Sequence, residues 1–226
     1  MSSFEQIFLP QPSTKCVQFI FFHLLSLKFS FPDSFIDWLF KRIVSPSEPV
    51  LKRQAAAGYL CGLCARAEYI SKTTIREVVK LLSNFCIKVN ASQKDIKLPM
   101  ENLTIIFQYL LSIPEHKQNN DQQKFLPFYF VAQSLFYLII FRWETIGIEN
   151  LRDLNLQTIV FSKLNPLAEL VPAVAIKFCD VMKETEILFG HVIIEQVNNL
   201  NFIDPYTVPD YRVLGNTGSG SLIPAH

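Results

Sequence analysis

The chain has 226 residues and a formal net charge of +1, so no global electrostatic attraction to nucleic acid or to an anionic membrane is built into it. Half of its residues are hydrophobic and 18% are charged, against about 25% charged in a typical soluble domain, which implies that part of the surface is covered by a partner. Five cysteines at irregular spacing make no even disulfide framework, and the first twelve residues carry one charge, Glu5, and no basic leader, so a reducing compartment is expected.

In chain order, the first helix is expected over 15–29, with His23 a hydrogen-bonded core or interface residue among the apolar side chains. A second, over 33–44, follows Phe31-Pro32 and has Asp33 or Ser34 to cap it. Ser45-Pro-Ser-Glu-Pro49 is a connector. The stretch 51–67 has no charge between Arg53 and Arg66. At 3.6 residues per turn one wide face is Leu51, Ala55, Ala56, Tyr59, Leu60, Leu63, Cys64 and Ala67. The opposite face, Gln54, Ala57, Gly58, Cys61, Gly62 and Ala65, is small rather than charged. A helix without charge all round is buried, and the two glycines, costing roughly 1 kcal/mol each, point to close packing of another helix.

Ile75, Val78, Val79, Leu82, Phe85, Cys86 and Val89 recur at helical spacing, with Ser71 or Thr74 as cap and Thr74-Ile-Arg-Glu77 as a capping box. With 51–67 this makes a helical hairpin of about 40 residues, the size of a HEAT-type unit. Further helices are expected over 97–113, 124–142, 154–164, 172–182 and 185–197. The polar run 115–124 reads as a loop, Asn165-Pro166 as a cap before a proline-started turn, and Pro172 as a kink or a helix start. Residues 125–141 carry no charge but fall short of the about 20 residues of a spanning helix, which favours a core helix. No stretch alternates with period two between hairpin turns. The fold class is therefore all-α, a HEAT-repeat-like solenoid of antiparallel helix pairs over 1–200, followed by a mostly disordered tail over 201–226.

Motifs for chemistry are sparse. Cys61-Gly-Leu-Cys64 is a CxxC, but a zinc site needs four ligands and no second pair follows, while a redox CxxC sits at a helix start. Small buried residues are the better reading. The four histidines (His23, His116, His191, His226) stand in no ligand pattern, there is no Gly-x-Ser-x-Gly, and Gly215–Gly220 lacks the Lys-Ser/Thr of a phosphate loop. No catalytic, cofactor or metal site is expected, and no small-molecule substrate. The basic residues Lys52, Arg53, Arg66 and Lys72 mark the two ends of the small-faced helix. They read either as a contact for an acidic surface or a nucleic-acid phosphate, or as solvated ends, with Arg66 complementing a helix C-terminus. Ser45 and Ser47 are candidate phosphorylation sites beside Lys41, Arg42, Lys52 and Arg53, or simply turn serines.

Arg53-Gln-Ala-Ala-Ala-Gly-Tyr-Leu-Cys-Gly-Leu-Cys-Ala-Arg-Ala67 resembles a segment of the RNA polymerase I-specific transcription initiation factor family of the TIF-IA type. Further pieces stand in the family's order: Phe31-Pro-Asp-Ser-Phe-Ile-Asp-Trp-Leu-Phe-Lys-Arg42, Gln133-Ser-Leu-Phe-Tyr-Leu-Ile-Ile-Phe-Arg142, Ser162-Lys-Leu-Asn-Pro-Leu167 and Val192-Ile-Ile-Glu195. The likeness spans roughly 16–200 and covers only the C-terminal half of the longer family members. It implies a non-enzymatic HEAT-repeat adaptor in the nucleus and nucleolus that bridges RNA polymerase I to promoter-bound core initiation factors for ribosomal RNA synthesis. A weak contact with promoter DNA and control by phosphorylation go with it, and a membrane does not. A generic α-solenoid scaffold without a transcription role is the alternative.

Overall fold

The computed structural model describes residues 4–9, 17–92, 120–170 and 172–188. A π-helical turn, Phe4–Phe8, is followed by α1 (Val17–Ser26), α2 (Ser30–Val44), α3 (Val50–Arg66), α4 (Lys72–Ala91), α5 (Asn120–Ile146), α6 (Ile148–Arg152), α7 (Leu156–Val160) and α8 (Pro172–Glu184). No strand occurs among the described residues, so the fold is all-α as expected. The helix expected over 97–113 and the tail 201–226 lie outside the described residues, as do 115–119 and 189–197; of the expected loop, 120–124 is instead the first turn of α5, and of the last expected helix, 185–188 forms turns rather than helix.

Polar contacts between helices fix their directions. Arg53, in the first turn of α3, reaches the last turn of α2, so these two are antiparallel. Arg76, early in α4, reaches the last residue of α5, so that pair is antiparallel too. Along α3 and α5 the contacts Ala57–Ser134, Arg66–Tyr137 and Ala67–Arg142 rise together, so α3 and α5 are parallel. Thr74 of α4 meets Asp33 of α2, joining two helix starts. The result is two rows of helices, α2 and α4 in one and α3 and α5 in the other. α7 packs on α4 and α8 on α5, extending each row. This is the stacking of a solenoid, in which each unit buries its apolar face against the next.

The packing pairs are α2 with α3 and α4 with α5, one helix out of step with the α3–α4 hairpin read from the sequence. α3 and α4 each take α5 as a principal partner. The short link of 67–71 reverses the chain, but the apolar stripe of α4, Ile75, Val78, Val79 and Leu82, is fully or almost fully buried within the same core as α5. α5 also runs further than expected, 27 residues with Pro127 inside it, although a proline cannot donate to the carbonyl four residues earlier. Its stretch Phe125–Ile146 is long and apolar enough to cross a membrane by length and composition, yet most of it is buried among other helices. α5 is the central core helix, with Phe128, Val131, Leu135, Phe136, Leu138 and Ile139 at zero exposure.

Other local readings shift. α2 begins at Ser30 without a side-chain cap; Asp33 instead accepts a hydrogen bond from the Thr74 hydroxyl at 3.1 Å. At the start of α4 the cap is Ser71, whose Oγ accepts from the Thr74 amide at 3.0 Å, and the Thr74–Glu77 box is not used. The helix expected over 154–164 shrinks to α7: Asn155 takes a left-handed conformation that delays its start to Leu156, and Phe161 leaves the helical conformation at its end. Pro172 starts α8. His23 lies exposed on α1, not in the core.

Candidate partner-binding surface

α3 carries the sequence-predicted basic residues, and its burial sorts them. Ala56, Ala57, Leu60, Leu63 and Cys64 are all at zero exposure, so most of the large face and part of the small face are covered. The small face meets α5: Ser134 Oγ donates to the Ala57 carbonyl at 3.4 Å and the Cys61 thiol donates to the Ser134 carbonyl at 3.4 Å. The glycines are not what this approach requires. Gly58 faces open space, and a Cβ on Gly62 would make only ordinary contacts, 3.6 Å from Arg66 and 3.9 Å from Phe22.

Arg53 does not reach a surface. It is 9% exposed and its Nε donates to the Ile43 carbonyl at 2.8 Å, closing the C-terminal end of α2. Burial lowers its pKa, but a guanidinium starts so high that it stays charged. Arg53 turns inward for a plain physical reason: the last carbonyls of a helix lack partners, and a buried end needs a donor.

The same device recurs twice. Arg142 of α5 donates from Nε to Cys64 O at 3.0 Å and from Nη2 to Ala67 O at 2.8 Å, closing the end of α3. Arg76 of α4 donates from Nε to Ile146 O at 3.0 Å, closing the end of α5, helped by Asn150 Nδ2 at 2.9 Å. Sequence reasoning missed both arginines. The signal was present in Arg142, a lone cation ending a 17-residue uncharged run.

Lys52 is half-buried at the opposite end of α3 from Arg66, and Lys72 is exposed at the first position of α4. Thirteen residues of helix put Arg53 and Arg66 about 20 Å apart, so the four cations do not form one patch. Arg66 has the most developed surroundings. It is exposed, its Nη2 donates to Tyr137 Oη at 3.0 Å, and its guanidinium lies 5.9 Å from the Tyr137 ring and 6.0 Å from the Phe19 ring. The Phe141 ring packs on Tyr137, tilted, with centroids 4.5 Å apart, and is 54% exposed. Arginine with exposed aromatics is the composition of interface hot spots.

Ser45 and Ser47 share a hydrogen bond of 2.8 Å in the α2–α3 connector. Arg42, at the end of α2, already pairs with Glu48 and, at 2.7 Å, with Glu5 of the N-terminal turn. That turn is seated by Phe4, 2% exposed and ringed by Phe21, Phe35, Trp38 and Tyr59.

Both thiols of the CxxC are buried and held protonated. Burial pushes Cys61 up to about 12, with Arg66 opposing, and pushes Cys64 higher still, with Cys61 adding and Arg142 opposing. A thiol held protonated is neither nucleophile nor metal ligand. Cys61, Cys64, Cys86 and Cys179 are all free and buried, and no group of three metal-ligating side chains occurs among the described residues.

Comparison with known proteins agrees with this architecture. The family described as RNA polymerase I specific transcription initiation factor RRN3 matches residues 1–207. The RNA polymerase I-specific transcription initiation factor RRN3 of Mus musculus is 29% identical over 203 residues, covering 87% of this chain and 28% of the relative. The corresponding factor of Schizosaccharomyces pombe is 24% identical over 209 residues, covering 87% and 32%, and that of Saccharomyces cerevisiae 26% over 202 residues, covering 87% and 29%. The chain thus spans about a third or less of the length of these relatives. A crystal structure of the RNA polymerase I transcription initiation factor Rrn3 shares the fold, with a TM-score of 0.69 at 23% identity over 88% of this chain and 38% of that one. The chain belongs to the RNA polymerase I-specific transcription initiation factor RRN3 family.

Proposed function

We propose that this chain acts by binding rather than by catalysis, as part of the machinery that brings RNA polymerase I to promoter-bound core initiation factors in the nucleus and nucleolus. The observation that carries this reading is the family match over residues 1–207, on a fold of stacked helix pairs that offers long surfaces. A rigid scaffold holding two moderate interfaces recruits a large enzyme by raising its effective concentration at the promoter. Arg66 and Lys72 at one end of α3, and Lys52 at the other, are the proposed cationic contacts to the polymerase, to the promoter factors or, weakly, to promoter DNA. Arg53 is replaced in this role because it closes α2 from within.

Ser45 and Ser47 are proposed as regulatory phosphorylation sites. A phosphate there adds about −2 charge and competes with Glu48 and Glu5 for Arg42, loosening the N-terminal turn.

The test is capture of RNA polymerase I by the purified chain, with RNA polymerase II as control. Selective capture, weakened by Arg66→Glu and Lys72→Glu, is the expected result. A folded sample that captures neither enzyme, or both equally, sinks the reading.

A further inference from the structure

α1 is apolar on both faces. Phe22 and Leu25 point inward, at 6% and 5% exposure, while Ile20, Leu24 and Leu27 stand outward at 64%, 51% and 71%. Ile20 and Leu24 lie on α1 and Leu27 in the turn that follows it, a row at i, i+4 and i+7 roughly 10 Å long. A contiguous exposed apolar row of this kind marks an interaction site. The row runs into Arg66 through Phe19, which belongs to α1 and also flanks the Arg66 guanidinium. Its other end carries Lys28, exposed and resting 5.1 Å from the Phe31 ring. Residues 17–29 contain no Asp or Glu. The nearby Asp33 is turned to the Thr74 hydroxyl.

We propose that the outward row of α1, with Arg66 at one end and Lys28 at the other, docks an acidic amphipathic helix of a protein partner. Three apolar anchors at helical spacing are what a helix laid against a helix uses. The flanking charges here are cations, so the matching partner carries carboxylates beside its apolar stripe. Arg66 is already held by Tyr137 Oη and by two rings, so its planar fork is pre-oriented for a carboxylate and loses little freedom on binding. An anionic membrane fits less well, because basic lipid-binding segments gather about four to eight cations where this face offers two. The proposal rests on the reading that the chain works by binding other proteins.

The experiment uses the whole chain and a labelled synthetic amphipathic peptide roughly five turns long, with leucines on one face and glutamates on the other. A twin with lysines for glutamates and vesicles containing phosphatidylserine serve as alternatives. The expected result is binding of the glutamate peptide alone, weakened about tenfold or more by Leu24→Ser with Leu27→Ser, since anchor residues dominate such interfaces. Arg66→Glu should weaken the glutamate peptide and strengthen the lysine twin, a reversal that mere unfolding does not produce. Equal binding of both peptides, binding to vesicles alone, or no effect of the double change in a chain of unchanged helicity overturns the proposal. Polymerase I capture is measured on the same samples. Capture that persists where the peptide never binds removes this surface and leaves the function standing; peptide binding without capture does the reverse.

Discussion

The seam between α3 and α5 and the outward face of α1 invert the usual rule of thumb. At the seam, guanidinium and hydroxyl groups sit inside: Arg142 on two carbonyls, Ser134 and Cys61 on the facing backbones. On α1, leucine and isoleucine face water. Polarity alone therefore does not sort this chain into core and surface. Buried helix ends and close backbones demand donors, and apolar rows left outside indicate a surface completed by something else.

This contrast is open to direct challenge by mutation, read as unfolding free energy in denaturant. The largest loss is expected on the far side of α5, where Phe136, wholly buried, packs on Phe178 at 4.4 Å. Phe136→Ala should cost about 4 kcal/mol through lost burial and the cavity left behind. Arg142→Ala comes next, at about 3 kcal/mol, because it strands the carbonyls of Cys64 and Ala67 at the end of α3. A loss below that of an ordinary surface arginine shows that the end of α3 is hydrated rather than capped.

Two smaller effects sharpen the contrast. Gly58→Ala should stabilise by about 1 kcal/mol, since its Cβ enters open space in mid-helix. A net loss means that α3 is approached there after all. Leu24→Ser should change stability by no more than about 0.5 kcal/mol, as a solvated position does. A loss comparable to that of Phe136→Ala shows that this face is covered within the chain itself.

Glu169 supplies a pH signature. Burial raises its carboxyl to about 7, and no cation pairs with it among the described residues. Between the ordinary carboxylate pKa and about 7 the folded chain binds the extra proton, so stability is fully present below that window and falls as pH rises through it. Glu169→Gln should flatten this slope, read as melting temperature from pH 5 to pH 8.

The sequence carried the fold class and most helix cores, because stripes such as Ile75, Val79, Leu82 and Cys86 have one periodicity and one explanation. The cap of α4 was narrowed to Ser71 or Thr74, and the structure selects Ser71. Partner choice was not legible: α4 has a single apolar stripe, and nothing local says that α5, some thirty residues on, fills it rather than α3. The glycines of α3 misled because a helix tolerates Gly58 without using its smallness. For the candidate site, the sequence marked the two ends of α3 but not which arginine turned inward. Arg53 and Arg66 look alike in one dimension, and they separate only once the carbonyl end of α2 lies beside one and the rings of Phe19 and Tyr137 beside the other.

The arginine closures tie each helix's end to a residue on a different helix: α2 to α3, α3 to α5, α5 to α4. Melting α3, α5 or α4 withdraws the arginine that finishes a neighbour, so local fraying there propagates rather than staying put. An array held only by nearest-neighbour apolar contact loses its units one at a time; interlocked ends instead couple these four helices into a single cooperative block that stays registered or is lost together.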